Sequence, residues 1–321
     1  MRRQWRRFGV ALTGALVGGI LLVPVLLLAG ALRADDLPDG PLPVGAQPVD
    51  IPALHNVIRL SEKLYSGGVP EGDEGFRALQ RLGVKTVITV DGAKPDLETA
   101  RKYQMRYVHL PFGYDGCPSP VANALAKAVR DLPGPVYIHC HHGKHRSPVG
   151  AAMARIALDG ISNEEAVREL ERAGTGKSYT GLYANVRAYR PPTQEQLDRL
   201  KVELPEVAPT PPLVEAMVQI EQRFDRLMEL QKDEWRLRPG VDAAYEALQL
   251  QELYTELNRT DELKQRPADY RKWMAEGEAD GKALETALRA GRLDEASRQL
   301  GRLAAGCGSC HAKYRNVPQP K

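Results

Sequence analysis

The chain has 321 residues, of which 43% are hydrophobic and 26% charged, and a formal net charge of +3. That length accommodates about two globular domains with separate cores. The composition is that of ordinary folded protein, and a charge so small gives no electrostatic footprint for nucleic acid or a membrane surface, so neither is an expected partner on that ground.

At the N-terminus Arg2, Arg3, Arg6 and Arg7 precede an uncharged run of 25 residues, 8–32, rich in Leu, Val, Ala and Gly. A cleavable signal peptide has a shorter apolar stretch, about 7–15 residues, whereas this run at about 1.5 Å per residue is long enough to cross a bilayer core. Residues 1–34 are therefore expected to be an uncleaved membrane anchor; cleavage after Ala31, in the small-x-small pattern Ala29-Gly30-Ala31, is the alternative. The arginines before the span keep the N-terminus in the cytoplasm and send the bulk of the chain outside.

Residues 35–52 hold five prolines and little apolar periodicity, which predicts a spacer. From 53 to 203 strand-like runs (86–90, 107–110, 135–138) alternate with helix-like stretches (74–82, 96–103, 148–158), the order of an α/β domain with a mainly parallel sheet. A further helix is expected after Ser162, which has capping-box spacing to Glu165. Residues 204–211, which open a run of four prolines in nine residues, mark a linker. Beyond it lie four amphipathic helices in 212–321. The first carries Leu213, Met217, Ile220, Phe224 and Leu227 on one stripe, and the second Ala243, Ala247, Leu250, Tyr254 and Leu257. The third carries Tyr270, Met274, Gly277, Gly281, Leu284 and Leu288, and the fourth Leu293, Ala296, Leu300 and Leu303. Four single stripes bury one another in a four-helix bundle.

Two motifs carry chemistry. In the first, a hydrophobic strand delivers His139 and Cys140, five residues follow, and Arg146 and Ser147 open a helix. A loop of that length wraps the backbone N–H groups of His141, His142, Gly143, Lys144 and His145 around one phosphate, and Arg146 closes the ring with a bidentate guanidinium. The same field favours the Cys140 thiolate, the form that attacks phosphorus. Ser147 is placed to hydrogen-bond the sulfur as it leaves.

The pattern His139-Cys140, five residues, Arg146-Ser147 resembles the signature of the protein-tyrosine and dual-specificity phosphatase superfamily. Within it, Gly143, Lys144, His145 and Arg146 are most similar to the small atypical dual-specificity group that includes inositol-pyrophosphate phosphatases. The resemblance implies an α/β cysteine-phosphatase fold, a phosphorylated substrate and a general acid on a loop before the cysteine. Asp115, after the 107–110 strand, is the candidate; Asp91, after the 86–90 strand, is second choice. A rhodanese-like sulfurtransferase is the rival, with a loop shorter by one residue. The side chains of His141, His142 and His145 read as solvated, with a metal site there as the lesser alternative, and Lys144 with His145 would favour substrates with several phosphates.

The second motif is Cys307-Gly-Ser-Cys310-His311, the Cys-x-x-Cys-His pattern of covalent c-type haem. Its spacing lets two thioethers clamp the vinyl groups while His311 ligates iron. A thioredoxin-like pair would want a preceding strand, and a zinc site a further ligand; neither is present in the sequence nearby. Four helices ending in this motif resemble the cytochrome c-prime group over about 212–317. That resemblance places Arg315 near a haem propionate and makes Met217 a candidate sixth ligand, with a core methionine as the alternative. Covalent haem is attached outside the bacterial cytoplasmic membrane, which agrees with the topology read from the arginines.

Cys117 is left over; it reads either as a loop residue or as a disulfide partner for Cys140. The sum is an exported, membrane-anchored phosphatase with a haem domain for redox or gas sensing or for electron transfer, engaging a redox partner. The alternative is a haem electron-transfer protein whose α/β domain only binds an anion.

Overall fold

Residues Val136–His139 are buried along their whole length, Val136 and Ile138 in one core and Tyr137 in another. A strand with no polar face lies inside a sheet covered on both sides. The computed structural model, which describes residues 40–236 and 240–318, places it there. The sheet holds β1 (Val49–Ile51), β2 (Leu54–Arg59), β3 (Leu64–Gly67), β4 (Thr86–Thr89), β5 (Arg106–His109) and β6 (Val136–His139), in the order β1-β2-β3-β6-β4-β5. From β3 to β5 across the sheet the strands run parallel, while β1 and β2 are antiparallel additions at one edge.

Helices α1 (Gly72–Arg81) and α2 (Leu97–Lys102) cover one face through Phe76, Leu79 and Ala100, against Val87, Tyr107 and Tyr137. The other face is covered by α3 (Ser119–Asp131), α4 (Arg146–Leu158), α5 (Asn163–Arg172) and α6 (Thr180–Ala188), against Ile88, Val108 and Ile138. Each sheet residue thus alternates sides with the period of two that a strand imposes. Helix starts are fixed locally: Asp96 accepts from the Thr99 amide at 3.0 Å and Ser162 from that of Glu165 at 3.1 Å. Helix α7 (Gln194–Arg199) begins with a full capping box between Thr193 and Gln196 and buries Leu197 against Ala126 and Ala157.

The rest is helical: α8 (Pro212–Lys232), α9 (Ala243–Arg259), the short α10 (Asp261–Lys264), α11 (Ala268–Arg289) and α12 (Leu293–Tyr314). Their stripes meet in one core of Ile220, Leu227, Leu250, Tyr254, Leu284 and Leu300. The described residues all belong to one compact unit.

One feature differs from the sequence expectation, and a second concerns an arrangement that the sequence left open. The supposed spacer 35–52 contains β1, and Leu42 is buried against the same core as Ile51 and Leu54. Here Pro52 sits inside a tight turn: Ile51 pairs with Leu54 across Pro52 and Ala53, whose φ is 60°. The linker 204–211, whose proline-rich composition permits either a docked arrangement or independently tethered domains, is docked. The His109 amide, on the outer edge of β5, donates to the Pro205 carbonyl at 2.8 Å, and the Ala208 amide donates to His109 Nδ1 at 3.1 Å. Helix α8 then starts so close to the sheet that a Cβ on Gly92 would lie 2.5 Å from Val214 Cγ1. The anchor expected in 1–34 lies outside the described residues, and among those described no helix is long and apolar enough to cross a membrane.

Candidate functional site

The loop at Cys140 stands where β6 ends and α4 begins, at the carboxyl edge of the parallel strands, the usual ligand position in such sheets. Its backbone is tied to the scaffold on several sides. Asn56 Nδ2 donates to the Gly143 carbonyl at 2.9 Å and to that of Ala173 at 3.0 Å. Thr175 Oγ1 donates to the Lys144 carbonyl at 2.6 Å, and the Val69 amide to that of His141 at 3.0 Å. Gly143 has φ 73°, and a Cβ there would lie 2.4 Å from the Gly68 nitrogen. Gly143→Ala should therefore cost at least the 1–3 kcal/mol or so of a strained backbone. The expected result is a lower denaturation midpoint together with lost protection by inorganic phosphate; an unchanged midpoint would contradict this account of the loop.

Within the loop, Cys140 is 2% exposed and its Sγ lies 3.4 Å from Ser147 Oγ, which donates to the Gly67 carbonyl at 3.0 Å. His139 is buried with its Nε2 against the Tyr107 hydroxyl, and burial pushes its pKa down to about 4, so the ring is neutral at physiological pH. Arg146 is buried and donates to Asp91 Oδ2 at 2.8 Å. The same carboxylate accepts from the His141 amide at 2.8 Å and, through Oδ1, from that of Ala93 at 3.1 Å. Burial alone would raise the Asp91 carboxyl, but Arg146, the Ala93 amide and the nearby imidazoles hold it below the usual carboxylate range. Asp91 is thus fully engaged in holding Arg146 and the loop, which is not the situation of a proton donor.

Asp115 is exposed, on the loop after β5, and lines the same cavity as Arg146. Beside it the Tyr114 ring is sandwiched between two guanidinium groups, Arg146 at 4.3 Å and Arg315 at 4.2 Å from its centroid. Arg315 therefore reaches the rim of the Cys140 site from the C-terminal end of the helical part. The Gly181 amide also donates to the Asn316 carbonyl there, at 3.1 Å.

Two of the three loop imidazoles are not freely solvated. His141 is half-buried and its Nε2 donates to Asp225 Oδ2 at 3.1 Å, while the His145 ring lies against that of Tyr179, tilted by 37°, with centroids 4.1 Å apart. Helix α8 and the aromatic rim cover them, which local sequence does not reveal. His142 and Lys144 are exposed. Cys117 and Cys140 are both free thiols; Cys117 Sγ faces the Pro118 carbonyl at 3.8 Å, and burial pushes its thiol up, away from the reactive thiolate.

Cys307, Cys310 and His311 lie on consecutive turns of α12. They line one cavity of about 1180 Å³ with Met217, Phe224, Trp273 and Met274, and Tyr114, Asp115 and Arg146 line the same cavity. Its size exceeds the roughly 300–1,000 Å³ of ordinary small-molecule sites. Burial lowers His311 to about 3 and raises Cys310 to about 11, leaving a neutral imidazole and protonated thiols at the wall. The donor set and an apolar slot of this size fit a large planar group attached at the two cysteines.

Sequence reasoning missed Glu221 and Asp225 of α8. Burial pushes the Glu221 carboxyl up; its charged neighbours include His141 and Arg146. Their spacing of four puts them on one helix face beside the apolar stripe, and that was the only trace in the sequence.

A buried cysteine cradled at the carboxyl edge of a parallel sheet, with a paired arginine and a serine on its sulfur, defines a cysteine-phosphatase type of site. Over 135 residues the chain is 36% identical to the dual specificity protein phosphatase TpbA of Pseudomonas aeruginosa strain UCBPP-PA14, and 34% identical to that of strain PAO1. The matched region is 41% of this chain, a dual-specificity-phosphatase-like domain, and the chain spans 59% of the length of those relatives. Among solved structures, the crystal structure of P. aeruginosa TpbA has 30% identity and a TM-score of 0.40, covering 46% of this chain and 92% of that one. The catalytic core of the yeast (S. cerevisiae) PP-IP phosphatase SIW14, in complex with citrate, has 19% identity and a TM-score of 0.40, covering 45% and 90%. No protein-family model matches the chain.

Proposed function

We propose that this chain is an exported, membrane-anchored phosphatase that hydrolyses phosphate monoesters through a cysteinyl-phosphate, with one covalent c-type haem on its C-terminal helices. The observation that carries the first part is the buried Cys140 thiol against Ser147, with Arg146 held at the loop by Asp91. A phosphate monoester enters the loop with Arg146 on its oxygens. The Cys140 thiolate attacks phosphorus and the bond to the leaving oxygen breaks, while Asp115 gives that oxygen its proton. Water then attacks the phosphocysteine, Asp115 takes a proton from it, and the sulfur departs as a thiolate, stabilised as the Ser147 hydroxyl turns its hydrogen from the Gly67 carbonyl to the sulfur. Asp115 is preferred to Asp91 because it is exposed on the rim, whereas Asp91 is committed to Arg146. The substrate is a phosphoprotein or a small molecule with several phosphates, the latter favoured by the exposed Lys144 alone, since burial against Tyr179 pushes His145 down to about 4 and leaves its ring neutral.

In the helical part, Cys307 and Cys310 would hold the haem and His311 its iron, with Met217 as candidate sixth ligand. Bound there, haem supplies a reversible redox couple and, with an open sixth position, a site for a diatomic gas. Arg315, which lies against Tyr114, serves as the link from that cavity to the phosphatase rim. Residues 1–34 would anchor the assembly in the cytoplasmic membrane with the rest outside.

The test is a substrate panel on the full-length protein, with phosphotyrosine peptide, aryl phosphate, phosphoinositide and inositol polyphosphate, haem held oxidised and then reduced. Phosphate release is expected, changing with haem state in wild type and not in Arg315→Ala. No release from any substrate would leave a haem electron-transfer protein with an anion-binding module. Absence of a haem spectrum that survives denaturation, and is lost in Cys307→Ala/Cys310→Ala, would remove the second part.

A further inference from the structure

His141 and His142 directly follow the nucleophile, and their rings meet edge to face with centroids 4.2 Å apart. Asp225 comes to them from α8, in the helical part, with Oδ2 at 3.1 Å from His141 Nε2. One ring nitrogen of each histidine and one carboxylate oxygen of Asp225 all lie within 4.8 Å of one another. An ion pair between His141 and Asp225 accounts for two of these groups and leaves the third unexplained. Among the described residues His142 has no hydrogen bond or ion pair of its own, yet its ring is turned to the same point.

Two imidazoles and a carboxylate are a donor set of zinc, which binds them at about 2.0–2.2 Å in tetrahedral sites and often keeps a fourth position for water. Bonds of that length put ligand atoms about 3.3–3.5 Å apart, so side-chain rotation alone closes the present spacing. Magnesium and calcium take oxygen ligands and are excluded by the two nitrogens. Half-exposure of His141 and Asp225, and the open side of His142, give an ion a path in.

We propose that His141, His142 and Asp225 form a binding site for one zinc ion, with water as the fourth ligand. The ion would staple the helical part to the phosphate-binding loop, because two ligands come from the loop and one from α8. Neither the phosphatase chemistry nor the haem is needed for it, so it stands or falls by itself. Occupancy would fix the first two residues after the nucleophile and hold α8 over the entrance, and so slow turnover.

The experiment uses the full-length protein carrying Cys140→Ser, Cys307→Ser and Cys310→Ser, so that neither the loop thiol nor those of α12 can take metal. After treatment with a chelator it is titrated with zinc against a chromophoric competitor, and the zinc-loaded form is examined by X-ray absorption at the zinc edge. The expected result is one zinc per chain with nitrogen and oxygen neighbours at about 2.0–2.1 Å and no sulfur at about 2.3 Å. Asp225→Ala and His142→Ala should each weaken binding at least tenfold. Asp225→Asn, which keeps the shape of the contact, and circular dichroism check that α8 stays docked and folded. Sulfur in the zinc shell, no retained zinc, or equal affinity in wild type and Asp225→Ala with α8 still docked would overturn the proposal.

Discussion

Cys140→Ser should lower the turnover of an aryl phosphate by at least about 10³-fold and leave the fold intact. Sulfur is a far stronger nucleophile toward phosphorus than the hydroxyl that serine puts in the same position. The structural cost is small, since serine replaces sulfur by oxygen and Ser147 Oγ, 3.4 Å from the sulfur, remains as a partner. Phosphate release measures the first effect, and the denaturation midpoint the second. Acid quenching during turnover should trap phosphate on wild type and none on the variant. A variant that keeps a tenth of the activity would place the nucleophile elsewhere.

The second large effect is expected at Asp91, and it is one of stability. Asp91→Ala removes one partner of a buried ion pair, whose side chains are 6% and 7% exposed, and strands the Arg146 charge. Breaking such a pair costs about 3–5 kcal/mol, and here the amides of His141 and Ala93 lose their acceptor as well. Chemical denaturation of wild type and variant measures the difference; a loss below about 1 kcal/mol would mean that the pair contributes little. The acid response has a defined sign. His139 is held neutral with a pKa of about 4, while an unfolded histidine titrates near 6.5, so the unfolded state takes up the proton first and stability falls as pH drops from about 6.5 to 4. Asp91 acts lower. Its folded pKa is depressed, so its contribution is present above the unfolded value of about 3.9 and is lost as pH falls through the folded value. In Asp91→Ala the second phase should disappear.

What was legible in the sequence was local. The Cys140 loop is a strand, a fixed count of residues and a helix start, and the strands at 86–90, 107–110 and 135–138 stand within about a residue of β4, β5 and β6. The first three strands were missed although β2 is the longest of the sheet: β1 and β2 are antiparallel additions at one edge, and positive φ at Ala53 in the turn between them and at Asn56 within β2 falls on residues that do not announce it. Asp91 illustrates a different limit. Its position after a strand suggested an acid, and only the folded chain shows its carboxylate between Arg146 and the His141 amide. Tyr114 between two arginines, and Asp225 at His141, depend on how the helical part packs on the α/β part. Contacts separated by 84 residues or more leave no periodicity to read.

The docked linker has a consequence for how the two parts separate. Residues 205–208 are pinned to His109, and α8 begins four residues later. With so little slack, parting of α8 from the loop is an intramolecular step, opposed by a local concentration of at least about millimolar, and its equilibrium does not change on dilution. A single cleavage between 208 and 212 would convert it into an ordinary bimolecular association. The nucleophile would then be escorted or bare according to how much of the severed helical fragment remained in its surroundings.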